Sequence, residues 1–289
     1  MMIDRALTSK LLEIRDLPTL PEVVEKILRK VEDRKTTATE LTALLEQDPA
    51  ISARLLRLAN SAFYGLRHNV DTVQRAVVVV GFDAVRHLSL AMSVFEAFTR
   101  HKQSAFDPFD FWLHSLGAAK SAQLICRADC KVESPGGCFT AALLHDIGKY
   151  LLALVFPEEY DEALSESREN HRPLIETETE RFNATHREAG HWIAERWGLP
   201  ELIVDVIGNL HQVGGYGGRY KKEVAITSLA DLLSRTAEFG DAGDWEQAVW
   251  DEESLRVTGL SQGRIDELLR ELGDYREETR QFLHMMTVS

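Results

Sequence analysis

Residues 139–156, FTAALLHDIGKYLLALVF, place a histidine, an aspartate and a lysine (His145, Asp146 and Lys149) inside an otherwise apolar stretch. Burying an imidazole beside a carboxylate costs several kcal/mol unless a partner compensates. A metal ion is one such partner. Neighbouring residues on a helix stand about 100° apart, so this pair borders one cavity without completing a coordination shell. Further ligands must come from other elements, and the candidates are His114, His186, His211 and Asp231. Asp231 sits in SLADLLS among Leu229, Leu232 and Leu233, another acid in an apolar run. Four imidazoles and two carboxylates suit one or two divalent ions of the borderline transition series: iron, manganese, nickel or zinc. Such an ion lowers the pKa of a bound water toward neutrality and readies it to attack phosphorus. Lys149, i+3 from Asp146, is placed to neutralise a phosphate oxygen; a surface charge at a helix end is its plainer reading.

Each residue has a plainer alternative. A lone histidine on an apolar helix is ordinarily a hydrogen-bonded core residue, and an isolated aspartate a cap or half of an ion pair. The six together favour the metal reading. His191 is five residues from His186, about 140° around a helix, and is assigned to packing. His68, His87, His101, His171 and His284 lack an apolar helix with a second acid and are read as surface or boundary residues.

The elements that must position these groups read as helical almost throughout. In LPTLPEVVEKILRKVED, Thr19 is placed to cap and Pro21 opens the helix. Asp48 caps and Pro49 starts a helix striped by Ile51, Leu55 and Leu58. Asp71 and Asp83 are expected caps of a pair around Gly81, and Val77–Val80 is assigned to helix despite its β-propensity, because no partner strand is evident. Beyond HKQSAFDP a second set begins at DPFDFWLHSLGAAKSAQLIC, where Gly117, Ala118, Ala119 and Ala122 leave room for a close neighbour to the His114 helix. Single helices are predicted over 139–156 and over ETETERFNATHREAGHWIAERWG, with others in PEEYDEALSES, PELIVDVIGNLH and EVAITSLADLLSRTAE. GGYGGRYKK is the glycine-rich loop, an anion-binding candidate through Arg219, Lys221 and Lys222 but more simply a flexible surface loop. The expected organisation is an N-terminal helical part (1–105), a metal-site part (106–240) and a C-terminal extension (241–289), the last containing a helix near 261–284.

Composition narrows the function. A chain of 289 residues, 44% hydrophobic, supports a large core, and its net charge of −13 argues against general nucleic-acid binding, which relies on Lys and Arg at phosphates. No apolar run approaches membrane-helix length, AVVVVGF coming nearest, and no signal peptide is read at the N-terminus, so a cytoplasmic protein is expected. Three cysteines (Cys126, Cys130, Cys138) suit reduced thiols better than a disulfide framework or a zinc site.

LPTLPEV, QDPAISARLLRLANSAFYG, AALLHDIGKYLL and HREAGHWIAERWGLPELIVDVIGNLH together resemble the HDOD domain, a bacterial signalling module related to the HD phosphohydrolases, over about residues 15–235. The resemblance implies an all-α fold, an N-terminal helical bundle packed on an HD-like helical bundle. The ligand order of the HD superfamily, His then His-Asp then a distal Asp, matches His114, His145-Asp146 and Asp231. The HD-GYP branch, which cleaves cyclic dinucleotides, adds histidines in the places of His186 and His211, has HDxGK where HDIGK stands here, and gives the HD aspartate, here Asp146, a bridging role between two metals. HQVGGYGG lacks the acid and the proline of that branch's name motif. The implied functions are a metal-dependent phosphohydrolase acting on a nucleotide or cyclic dinucleotide, or an inactive regulatory module that binds a signalling protein.

Overall fold

The computed structural model describes residues 26, 30, 36–60, 69–82, 85, 87, 89–90, 106–128, 132, 134–245 and 249–287. They are helical, with no strand among the described residues. In the N-terminal part, α1 (Ala38–Leu45), α2 (Pro49–Asn60) and α3 (Val73–Val80) pack together. α4 (Pro108–Ala128) begins the part that carries the site, followed by α5 (Pro135–Leu144), α6 (Ile147–Val155), α7 (Pro157–Asn170), α8 (Leu174–Phe182), α9 (His186–Arg196), α10 (Glu201–Asn209) and α11 (Lys221–Thr236). α12 (Glu252–Thr258) and the long α13 (Gln262–Thr287) close the chain. One connected apolar core runs from Leu41 in α1 to Leu283 in α13.

Local chemistry explains most element boundaries. Asp48 accepts from the Ile51 amide at 3.1 Å ahead of Pro49, and α3 is helical as expected. The cap of α3 is Thr72, whose hydroxyl accepts from Arg75 N, rather than Asp71, which forms a 3.6 Å ion pair with Arg75. Thr19, Pro21 and Asp83 lie outside the described residues.

Two predicted helices are each divided. Residues 139–156 break at His145 and Asp146, where Asp146 turns to φ −101°, ψ 10° and α6 restarts. The segment 174–196 breaks at Asn183, in the left-handed region at φ 51°, and restarts at a capping box formed by Thr185 and Glu188. Both breaks put a histidine at a helix end, facing across to other helices. Contrary to the sequence expectation, Pro135–Val155 is long and apolar enough to span a membrane by length and composition (mean hydropathy 1.4), although 89% of that window is buried within the protein. His87, expected at the surface or a boundary, is buried, its carbonyl accepting from Thr140 Oγ1 at 3.2 Å.

Two glycines set the crossings that matter. A Cβ on Gly148 would lie 1.8 Å from His186 O, so only glycine lets α6 approach the start of α9. A Cβ on Gly117 would fall 2.4 Å from Ser234 Oγ and 2.5 Å from Phe239 Cβ, so α4 lies directly on α11. The small-residue face read on the His114 helix is therefore a real crossing, tied by Ser234 Oγ donating to His114 O at 2.8 Å.

Candidate metal centre

Those crossings bring side chains from three regions to one point. His114 (α4) and His145 (end of α5) place their Nε2 atoms 3.2 Å apart. Asp231 (α11) sets Oδ1 3.0 Å from His114 Nε2 and 3.5 Å from His145 Nε2. Asp146 Oδ2 lies 3.2 Å from His145 Nε2 and 3.7 Å from His114 Nε2. All four side chains are at most 3% exposed. His211 reaches the centre from the rim, 36% exposed, with Nε2 2.9 Å from Asp231 Oδ2. His186 lines the same cavity, of about 540 Å³, as do Asp146, His211 and Asp231. The tight ligand cluster comprises His114, His145 and Asp231, whose donor atoms lie within 4.8 Å of one another. The six sequence candidates thus meet at one cavity or its floor.

Three of the four histidines are held by neighbours. The Ala142 carbonyl accepts from His145 Nδ1 at 2.6 Å, which leaves Nε2 for the centre. Glu178 Oε2 accepts from both the amide and Nδ1 of His186, at 2.9 and 2.7 Å, while its Oε1 accepts from Tyr160 Oη at 2.7 Å. His211 stands at φ 58°. Ser228 Oγ accepts from its amide, and Arg187 Nη1 donates to the preceding Leu210 carbonyl at 2.7 Å. Such outer partners fix tautomer and ring orientation in metal sites. The sequence reading missed Glu178; its i+4 spacing from Leu174, on the buried face of α8, was the available sign.

Lys149 is not a surface charge. Its side chain is 1% exposed, with Nζ 2.8 Å from Asp146 Oδ2 and 2.5 Å from Asp244 Oδ2. Asp244 belongs to the segment read only as acidic and irregular. Burial works against both charges, yet His145 and Lys149 together hold the Asp146 carboxyl well below its usual range, and the two aspartates hold Lys149 above its own. Burial would likewise lower the His145 pKa, but the Asp146 and Asp231 carboxylates outweigh it and push it up to about 10. Asp231, despite burial, is held well below its ordinary value by His114, His145 and His211.

The donors present fit a metal ion. Asp231 Oδ1 is buried and no donor among the described residues meets it in hydrogen-bond geometry, an expensive arrangement for a lone carboxylate oxygen. It faces two imidazole nitrogens whose 3.2 Å separation is what ligands about 2.0–2.1 Å from a shared ion show. Imidazole and carboxylate donors suit a borderline divalent metal.

The remaining sequence candidates lie elsewhere. His191 Nδ1 is 3.3 Å from Val204 O, against α10. Cys126 is a free thiol, Cys138 is buried, and Cys130 falls outside the described residues. In the glycine-rich loop, Lys221 pairs with Glu253 at 2.9 Å, Tyr216 bonds Asp205, and Arg219 lies over the Tyr220 ring. None of these loop cations lines the cavity, where Arg187 and Arg235 stand instead.

Comparison with known proteins agrees with this architecture. The HDOD domain family matches residues 17–213. A solved HDOD domain protein of unknown function from Geobacter sulfurreducens superposes with a TM-score of 0.82 at 25% identity, covering 96% of each chain. A chain from Shewanella amazonensis SB2B, named "Putative phosphohydrolase", superposes at 0.76 and 24% identity, covering 96% of this chain and 98% of that one. An uncharacterized protein of Treponema pallidum (strain Nichols) is 25% identical over 223 residues, 77% of this chain and 43% of its own length, so the chain spans less than half of that relative.

Proposed function

We propose, from the premise that the chain belongs to the HDOD domain family, that it is a signal-transduction protein of that family with a working metal centre, which hydrolyses a phosphoester of a nucleotide or cyclic dinucleotide. His114, His145, Asp146, His186, His211 and Asp231 are the residues proposed to hold one or two divalent ions of iron, manganese, nickel or zinc. The observation that supports the reading is Asp231 Oδ1, buried between two imidazole nitrogens 3.0 and 3.5 Å away, neither of them in hydrogen-bond geometry with it. When bound, the ion supplies Lewis acidity and water activated near neutral pH. The protein's own residues orient and insulate. Ala142 O and Glu178 set the His145 and His186 rings, Lys149 holds the Asp146 carboxylate, and the α4–α11 crossing keeps water from the floor.

The cavity also explains how a protein of net charge −13 would accept an anion. Four carboxylates (Asp146, Asp231, Asp244, Asp251) face three cationic side chains (Lys149, Arg187, Arg235), so a divalent ion reverses the sign of the lining. The proposal keeps the division of the chain near residues 105 and 240.

A second reading, a regulatory module that binds a protein partner, is favoured by Val78 and Val79 on α3, 78% and 48% exposed. One experiment separates the two. Metal content of the purified protein is measured, then turnover of nucleotides, cyclic dinucleotides and a generic phosphodiester with iron, manganese or nickel. Turnover lost by at least about 100-fold in Asp146→Ala is expected for the enzyme. Full metal occupancy with no turnover of any substrate overturns it in favour of the module.

A further inference from the structure

Asp244 lines the cavity but stands outside the proposed ligand set. It comes from the segment after α11, outside the ligand helices, and its carboxylate caps the Nζ of the deepest cation in the cavity. Its neighbours fix its place. Asp241 N donates to Asp110 O at 3.1 Å and Gly243 N to Asp241 Oδ1 at 2.7 Å, while a Cβ on Gly243 would meet Leu164 at 2.5 Å. On the far side, Arg168 stacks 3.6 Å from the Trp245 ring. The carboxylate is 14% exposed and turned inward.

We infer that Asp244 is a specificity-determining residue, one that disfavours doubly charged phosphomonoesters and so favours singly charged phosphodiesters. The inference rests on the phosphoester reading above. Lys149 is shared between Asp146 and Asp244, so its charge is already balanced before any ligand arrives. A phosphate group approaching Lys149 meets the Asp244 carboxylate in the same place. Coulomb repulsion scales with ligand charge, so a dianion is opposed about twice as strongly as a monoanion at equal distance. Arg187, the nearest alternative cation by sequence to His186, donates to the Leu210 carbonyl and secures the His211 turn.

The test uses the metal-loaded full chain and two small ligands, methyl phosphate (dianionic at pH 8) and dimethyl phosphate (monoanionic), titrated calorimetrically. Replacing Asp244 by Asn or by Ser is expected to shift the ratio of the two affinities toward methyl phosphate by on the order of tenfold or more, since one like charge is removed a few ångströms away. Adding Lys149→Met to Asp244→Asn is expected to cancel that shift. An unchanged ratio in a folded, metal-replete variant overturns the inference alone. Failure of both variants to fold assigns Asp244 a structural role and overturns it too. Binding of neither ligand to the loaded wild type overturns the phosphoester reading and this inference with it.

Discussion

Two cavities of nearly equal volume, about 540 and 560 Å³, lie on either side of the segment 240–245, and only one of them looks like a place for chemistry. The first has Asp146 and Asp231 in its lining and His145 against them, all at 3% exposure or less, with one Asp231 oxygen out of hydrogen-bond geometry with its neighbours. The second is lined by Asp107, Asp110, Asp241, Arg168 and Trp245, several of them engaged in local contacts. There Asp107 accepts from Phe109 N at 2.8 Å, Asp241 from Gly243 N, and Arg168, 62% exposed, stacks on Trp245. Volume and polarity do not distinguish them. What does is the free energy held in dehydrated, mutually dependent charges, which are costly unless something binds.

The comparison breaks most severely at Gly148. Its added Cβ would strike backbone, His186 O at 1.8 Å and Gly190 N at 2.5 Å, and neither can swing away. Gly148→Ala is expected to cost about 3 kcal/mol or more and to part His145-Asp146 from His186, with metal content falling in step. Gly273→Ala, on the exposed middle of α13 with nothing within 4 Å, is expected to stabilise by about 0.5–1 kcal/mol instead. Chemical denaturation of both variants, with metal analysis, checks the pair. A folded, metal-replete Gly148→Ala would show that the crossing does not position the site.

pH sharpens the contrast, because the two cavities respond with opposite sign. In metal-free protein Asp146 and Asp231 titrate well below their ordinary 3.8, so their contribution is present above that value and is lost as pH falls through the folded pKa. His145, raised from 6.5 to about 10, contributes fully below 6.5 and progressively less up to about 10. The first cavity is therefore expected to stabilise the metal-free protein most between about pH 4 and 6.5. A bound ion displaces the His145 proton, so the gain in Tm on adding metal should grow with pH throughout the range below about 10. Asp110 in the second cavity is shifted the other way: burial first, then Asp107 and Asp241, raise its pKa, so its contribution fades as pH rises. Melting curves with and without metal from pH 4 to 9, in wild type and Asp231→Asn, measure this. A metal-induced gain in Tm that is flat with pH would remove His145 from the ligand set.

Much of the first cavity was legible in the sequence because its chemistry violates the local pattern. His145, Asp146 and Asp231 are polar residues in apolar helices, and the small-residue run after His114 marks a close crossing. What stayed hidden depends on contacts distant along the chain. The break at His145-Asp146 has no proline to announce it, and Asp146, the N-cap of α6, makes no side-chain cap bond; the break arises where α6 turns onto α9. Glu178 looked like one acid among several in ETETERF until its burial beneath His186 was seen. Asp244 lies 95 residues from Lys149 and beyond the segment that the family matches, so no spacing rule connects the two. The glycine-rich loop agrees with its plainer reading as a surface loop: Lys221 pairs with Glu253 and Arg219 lies over the Tyr220 ring, away from the cavity.

The smallest expected effect tests whether the second cavity is as inert as its bonding suggests. Arg168 lies over Trp245 and 4.0 Å from Asp241, both contacts in water's reach. Cation–π stacking at an exposed site contributes about 0.5–1 kcal/mol and an exposed ion pair less, so Arg168→Ala should lower stability by about 1 kcal/mol or less. Because Trp245 adjoins Asp244, the same variant asks whether the stack helps to hold Asp244 on Lys149. Since Gly243 against Leu164 and Asp241 against the Asp110 carbonyl already fix the segment, metal affinity and the preference between phosphate mono- and diesters should stay at their wild-type values. Denaturation and metal titration of Arg168→Ala decide it. A drop of tenfold or more in metal affinity would mean that the two cavities act as one unit, and the distinction between a dehydrated centre and a solvated hollow would have to be abandoned.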